Sequence, residues 1–322
     1  MTVRSTVRAG VAVVEDAQIW LLTIAWVVLV VALVNGWWYV AAGAALLAAY
    51  HVALVVPRVV ANRVPGWVAA APRAHLVVAN VFIDNKTPDA LARELIARDG
   101  DVVVIAEWNS AFASAFDAAG GRERYAHRVL DPADTSDYAV AVLSRHELGP
   151  SSEMIERGPL KVAQATITVG SEQLMILALN PMAAVDPGGF DEWERQLDEL
   201  RAHAASAPRP FVIAGDLNTT TYRTKTRKLL KLGLVDAHES LGKGLSPSFK
   251  LAADGALAAP GAVVRLDHAL LSDGVRAVAT EDLDSAGSDH LPFRLEVAVR
   301  PMSGRGGHGR RRRSTSTASG PT

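Results

Sequence analysis

FVIAGDLN (211–218) decides the reading of this chain: four apolar residues, a glycine, then an acid and an amide at spacing i, i+2. An apolar run closed by turn residues reads as a buried strand entering a loop. In extended geometry that spacing points Asp216 and Asn218 to one face, although Asp-x-Asn also makes an Asx turn. Downstream, VVRLDHALL (263–271) reads as a strand with Asp267 in its middle, an awkward place for a charge. Ser288-Asp289-His290 then precedes FRLEVAV (293–299), where Phe293, Leu295, Val297 and Val299 alternate with Arg294, Glu296 and Ala298, so one face is buried. Upstream, QLMILAL (173–179), VAQATITV (162–169), YAVAVLS (138–144), DVVVIAE (101–107) and HLVVANVF (75–82) read as further strands. Asn80 interrupts the first of these, and Glu107 closes the next. Thr87-Pro88-Asp89 supplies an N-cap, a first-turn proline and an early acid for a helix through Arg98. Phe190, Trp193, Leu197 and Leu200 recur at helical spacing. Many strands with few helices predict an α+β layered sandwich of sheets.

Acids, amides and one imidazole thus gather where strands end. Carboxylate and carboxamide oxygens suit a hard divalent ion such as Mg²⁺ or Mn²⁺, which polarises a phosphoryl oxygen. An Asp on a loop takes a proton from attacking water, and a His paired with a buried Asp stays cationic or moves a proton. Singly, each residue has a plain structural reading: Glu107 a surface acid, Asp267 a salt-bridge partner, Ser288 and Asp289 turn formers, His290 a packed ring. Jointly they outline an active-site rim.

The ordered set ANVF, VVVIAE, YAVAVLSR, FVIAGDLN, RLDHALLS and GSDHLPF, spread over residues 75–299, resembles the endonuclease/exonuclease/phosphatase superfamily. The resemblance implies a four-layered α/β/β/α sandwich, two packed mixed sheets flanked by helices, and a metal-dependent phosphoesterase. It implies that Glu107 ligates the metal with Asn80 nearby and Asp289 as a supporting or alternate ligand. It implies that Asp216 orients or deprotonates water, that Asn218 bonds a phosphate oxygen, and that His290, held by Asp267, contacts the scissile phosphate. Asp84 and Asn85 are candidates to line the metal site. The chain departs from the pattern at Asn180, where the family usually has His or Tyr: an amide donates a hydrogen bond but gives up no proton. Ala106 stands where many members carry Gln.

The front of the chain is apolar. Ile19–Val34 and Trp37–Val56 carry no charge, separated by the turn dipeptide Asn35-Gly36. The second stretch fits a membrane span of about 17–25 residues, and the first fits once Gln18 and Asn35 are counted, with Trp20, Trp37, Trp38 and Tyr39 at the interfaces. The expected organisation is an N-terminal cytoplasmic segment (1–17), two transmembrane helices (18–56), a linker (57–74), the phosphoesterase domain (75–300) and a disordered basic tail (301–322). Arg4, Arg8, Arg58, Arg63 and Arg73 flank the spans, so with two spans the positive-inside rule puts both flanks and the domain in the cytoplasm, whereas with one span the domain lies outside.

Composition narrows the function. Hydrophobic residues make up 49% of the 322, enough for a sizeable core, and the absence of cysteine excludes disulfides, thiol nucleophiles and cysteine-ligated metals. Net charge is −1; five Arg and no acid in the tail leave −6 for residues 1–300. An acidic body disfavours a DNA-coating role. Hydrolysis of a lipid-linked or soluble phosphoester at the cell membrane is the first expectation. A nuclease and a non-catalytic binding module of the same fold are the alternatives, the last supported by Asn180. Specificity is expected in loops 109–137, 181–190 and 240–262.

Overall fold

The computed structural model describes residues 3–131, 138–184, 187–250 and 261–301. The tail, including its Arg run, lies outside the described residues, as do parts of all three loops expected to set specificity.

Nine helices and fourteen strands are found among the described residues. Helices α1 (Val3–Leu21), α2 (Thr23–Val34) and α3 (Trp38–Val59) precede a short 3₁₀ turn, Gly66–Ala70. Then follow β1 (Arg73–Asn80), α4 (Pro88–Ala97), β2 (Val102–Ala106), α5 (Ser110–Ala118), α6 (Gly121–Arg124), β3 (His127–Leu130) and β4 (Val140–Ser144). The second half runs β5 (Glu153–Arg157), β6 (Leu160–Val169), β7 (Glu172–Ala178), α7 (Pro187–Ser206), β8 (Phe211–Asp216), α8 (Thr224–Leu230), β9 (Val235–Asp236) and α9 (Ala237–Ser240). It closes with β10 (Phe249–Lys250), β11 (Ala262–Val264), β12 (Asp267–Leu271), β13 (Val275–Asp282) and β14 (Phe293–Val299).

Two six-stranded sheets form, ordered β13-β14-β1-β2-β4-β3 and β5-β6-β7-β8-β12-β9. Each is mixed: β1 runs parallel to β2 and β7 to β8, while the other pairs are antiparallel. Side-chain alternation builds the layers. In β1, Leu76 and Val78 face the second sheet, while Val77 and Ala79 face Leu91 and Leu95 of α4 and Phe112 and Phe116 of α5. In β8, Val212 and Ala214 face the first sheet, while Phe211 and Ile213 pack on Phe190, Trp193, Leu197 and Leu200 of α7. The result is two packed mixed sheets flanked by helices. Burial of both strand faces explains the near-continuous apolar runs.

Local expectations meet three corrections. Thr87 does not cap α4 with its side chain; its hydroxyl turns to Asn85 Oδ1 instead. VVRLDHALL is not one strand. The chain leaves the sheet at Arg265-Leu266, so β11 pairs with β10 in a separate ribbon and Asp267 opens β12 at the sheet end. The alternating outer face of β14 is also partly covered: Ala298 is buried under Val68 and Ala71 of the 3₁₀ turn.

The first apolar stretch, too, is not one continuous span. It breaks at Leu22 with a bend of 52° between residues 7–21 and α2. At 1.5 Å per residue, the 12 residues of α2 reach only about 18 Å. Among the described residues one helix, α3, is by itself long and apolar enough to cross a membrane. α2 and α3 pack along small residues, with Ala25, Ala32, Ala41, Ala44 and Ala48 buried, while their outer faces expose Val, Leu, Trp and Tyr. α1 docks on the folded domain. Ala12 joins the α7 core, Arg8 pairs with Asp191 and Glu194, and Arg223 Nε donates to Asp16 Oδ2 at 2.8 Å.

Candidate active site

Strand direction gathers the polar residues. β1, β2, β7 and β8 finish at one end of the sandwich, and β12 and β14, antiparallel to β8 and β1, begin there. Asn80 is therefore the last residue of β1, Glu107 follows β2, Asn180 follows β7 and Asp216 ends β8. Asp267 opens β12, and His290 precedes β14.

Asn80 is the hub between the sheets. Its Nδ2 donates to Glu107 Oε1 at 2.8 Å and to Asp216 Oδ2 at 3.1 Å. Its Oδ1 accepts from Phe82 N at 2.9 Å, so the amide is fixed in one orientation. Glu107 Oε2 accepts from Ile83 N at 2.7 Å. Burial raises the Glu107 carboxyl, against these two hydrogen bonds.

The GDLN turn depends on backbone geometry. Gly215 has φ 138°, and a Cβ there would lie 2.1 Å from the Leu179 carbonyl oxygen, so only glycine fits. Asn218 sits in the left-handed region at φ 48°, and its N–H donates to Asp216 Oδ1 at 2.8 Å. The pair is thus brought together by an Asx-type turn, and not by strand alternation as its spacing suggested. Glu107 is also left-handed, at φ 59°. Such residues cost about 1–3 kcal/mol each and persist where the surroundings over-determine them.

His290 bridges two carboxylates. Nδ1 lies 2.7 Å from Asp267 Oδ2, and Nε2 lies 3.6 Å from Asp216 Oδ2. Burial opposes the ring's charge, but Asp267 and Asp216 outweigh it and push the imidazole up to about 10. Burial moves Asp216 up to about 6, against the pull of His290. Asp267 is also buried, yet the His290 charge and hydrogen bond hold it below the usual carboxylate range.

Three groups that sequence reasoning missed support this pair. Ser248 Oγ donates to Asp267 Oδ2 at 2.7 Å and accepts from the N–H groups of Leu266 and Asp267. The Phe249 ring packs on His290 with centroids 4.9 Å apart. Ser288, read as a turn former, donates to Asn80 O at 2.8 Å and accepts from His290 N at 3.0 Å. Ser248 and Phe249 lie in a stretch with no strong periodicity, so nothing local marked them.

The other expected residues divide. Asn180 joins the site: its Oδ1 lies 3.5 Å from Asn218 Nδ2, and its own Nδ2 is buried without a partner among the described residues. Asp84 and Asn85 do not join. Asp84 is exposed beside Lys86, and Asn85 fastens its loop by donating to Val81 O and Ala286 O.

Ligand-atom geometry groups Asp216, Asp267 and His290, with one atom of each within 4.8 Å of the others. This differs from the expected metal set of Glu107, Asn80 and Asp289. The tight His290–Asp267 hydrogen bond and the ring's positive charge make the triad a poor cation cage, because metal-bound imidazole is neutral. Asn80, expected beside the metal, turns its amide nitrogen to Glu107 and Asp216 and commits Oδ1 to Phe82 N, so it offers a cation no free oxygen. Among the described residues Asp289 Oδ1 is buried with no partner, burial raises its carboxyl, and Glu107 accepts hydrogen bonds only from neutral donors.

A family model described as the Endonuclease/Exonuclease/phosphatase family matches residues 77–290. No curated protein matches the chain. Among solved structures, an endonuclease/exonuclease/phosphatase from Beutenbergia cavernae is 18% identical, with a TM-score of 0.57, covering 71% of this chain and 72% of that one. D. rerio TDP2, complexed with single-strand DNA product, is 19% identical with a TM-score of 0.57, covering 70% of this chain and 99% of that one. A family protein from Leptotrichia buccalis is 13% identical with a TM-score of 0.54, covering 70% and 99%. The match spans both ends of the strand-end cluster, from β1 to His290: the chain belongs to the endonuclease/exonuclease/phosphatase family.

Proposed function

We propose that this chain is a membrane-anchored, divalent-metal-dependent phosphoesterase. The observation that carries the reading is the position of Asp216, between the Asn80 amide and the His290 ring at the strand ends. Glu107 and Asp289, with Asn80 beside them, would hold Mg²⁺ or Mn²⁺, which would supply Lewis-acid polarisation of a phosphoryl oxygen. Asp216, raised to about 6, accepts the proton of an attacking water near neutral pH. The His290 cation and the Asn180 amide bind phosphate oxygens, joined by the Asn218 amide when it exchanges Pro181 O, to which it donates at 2.8 Å, for phosphate. The unpartnered Nδ2 of Asn180 suits a donor role, which makes proton donation at this position dispensable to binding.

Anchoring rests on the apolar α2–α3 hairpin. α1 docked on α7 and α8 is what a hairpin with both ends on one side of a bilayer requires. In a two-span arrangement the flanking arginines favour the cytoplasmic side and a multi-pass protein, and the 12 residues of α2 then cross a locally thinned bilayer. A phosphoester presented at the membrane, lipid-linked or soluble, is the substrate class. The DNA product bound to the TDP2 relative favours a nuclease as the second reading; the acidic body opposes it.

The test is hydrolysis by the full chain in detergent, with and without Mg²⁺ or Mn²⁺. Its substrates are a long-chain alkyl phosphate, a generic diester and plasmid DNA, with Asp216→Asn as control. Metal-dependent turnover of an ester, lost in the variant, is expected. Turnover of DNA alone would replace the reading with a nuclease, and turnover unaffected by Asp216→Asn would overturn the site.

A further inference from the structure

A cavity of about 270 Å³ lies away from the strand-end site, between the N-terminal helices and the domain. Trp20, His51 and Val55 form one wall; Tyr222, Glu239 and Val264 form part of the other. The first wall is largely apolar and continues into the exposed faces of α2 and α3, where Ile24, Val28 and Val52 face outward. The second wall is polar.

Its free hydrogen-bonding capacity is specific. The Tyr222 hydroxyl and Glu239 Oε2 have no intramolecular partner among the described residues, whereas Glu239 Oε1 is engaged by Thr221 and Arg58. Burial pushes the Tyr222 phenol up to about 12, so it remains a neutral donor. Trp26 Nε1 donates to His51 Nδ1 at 3.0 Å, which puts the imidazole proton on Nε2.

The cavity has no uncommitted cation among the described residues. Arg265 bonds Ser246 and Asp282. His268 places Nδ1 on Asp236 and Nε2 on Thr219 O. The lining acids are already paired, Asp16 with Arg223, Asp236 with His268 and Glu239 with Arg58, so a phosphate or carboxylate head finds no spare cation. A hydroxyl head both donates to Glu239 Oε2 and accepts from Tyr222, and an alkyl chain continues along Val55 toward the outer faces of α2 and α3.

We propose that this cavity binds a long-chain alcohol. The proposal rests on the membrane reading for its access and on the phosphoesterase reading for its meaning, since hydrolysis of a lipid phosphomonoester leaves such an alcohol. Binding itself requires no turnover.

The experiment is equilibrium binding of radiolabelled 1-dodecanol to the full chain in phosphatidylcholine nanodiscs, with empty nanodiscs as baseline and dodecyl phosphate as comparator. Saturable binding of one alcohol per chain is expected. Tyr222→Phe should weaken it about tenfold, the size of one buried hydrogen bond. Val55→Trp, which fills the apolar wall, should abolish it, with thermal unfolding checked for each variant. Uptake equal to empty nanodiscs, unchanged affinity in a folded Tyr222→Phe protein, or equal binding of dodecyl phosphate would each overturn the proposal. The same titration on Asp216→Asn separates the two readings: binding retained in an inert variant supports the cavity alone, and failure of hydrolysis in the wild-type chain leaves the binding result standing.

Discussion

His290 and Asp267 form a 2.7 Å hydrogen bond in which both partners are buried, and Asp267 is itself held by Ser248. The aspartate fixes the ring's orientation and stabilises its charge. Asp267→Asn keeps the shape and removes the charge. On the proposed function, kcat should fall about 10²–10⁴-fold with a smaller change in KM. Ser248→Ala, acting through Asp267, should lose less. Steady-state kinetics on the preferred ester checks both.

Gly215 offers a purely steric test. Gly215→Ala drives a methyl into the Leu179 carbonyl and forces alanine to φ 138°. A loss of about 3 kcal/mol or more is expected by denaturant titration, combining overpacking with backbone strain. Gly66→Ala, where a Cβ meets nothing within 4 Å, should stay within about 0.5 kcal/mol of wild type.

His268 and Asp236 are a buried pair 2.8 Å apart. Burial alone would lower His268, but the Asp236 hydrogen bond and charge outweigh it and raise the imidazole above 6.5. Burial alone would raise Asp236, but His268 holds it down to about 2 from 3.8. The raised histidine stabilises fully below 6.5, and that contribution is lost as pH rises through its folded value. The depressed aspartate stabilises fully above 3.8, and that contribution is lost as pH falls toward about 2. His268→Gln should therefore lower Tm most between pH 3.8 and 6.5, with the gap narrowing on both sides. Thermal melts across pH 3–9 test the window.

Asp16 ties α1 to the loop after β8 by accepting from Arg223 and from Thr220 Oγ1. Asp16→Ala leaves the Arg223 guanidinium buried without its counter-charge. A loss of about 1–3 kcal/mol is expected. Limited proteolysis should then release residues 1–21 faster than in wild type, read by mass spectrometry.

Much of the sandwich was legible because period-2 alternation and apolar runs are local. The runs at 101–107, 162–169, 173–179 and 211–218 all coincide with strands to within a few residues. The break at Arg265-Leu266 was not legible, because nothing in VVRLDHALL interrupts the β pattern; β11 leaves the sheet to pair with β10. The second apolar run coincides with the helix α3, but length could not separate α2 from α1, whose direction is set by docking on α7.

The sequence by itself determined the fold class, the residue types of the site and their order, because each strand's burial pattern and each terminal polar residue is written locally. Tertiary structure alone decided which atoms meet. Asn80 reaches Glu107 and Asp216 only because the two sheets stack with these strands ending together. Asp216 and Asn218 converge through a left-handed residue that a spacing of two does not reveal. Ser248, 19 residues before its partner Asp267, acquires its role from hydrogen bonds across elements, and no local periodicity encodes a contact of that range.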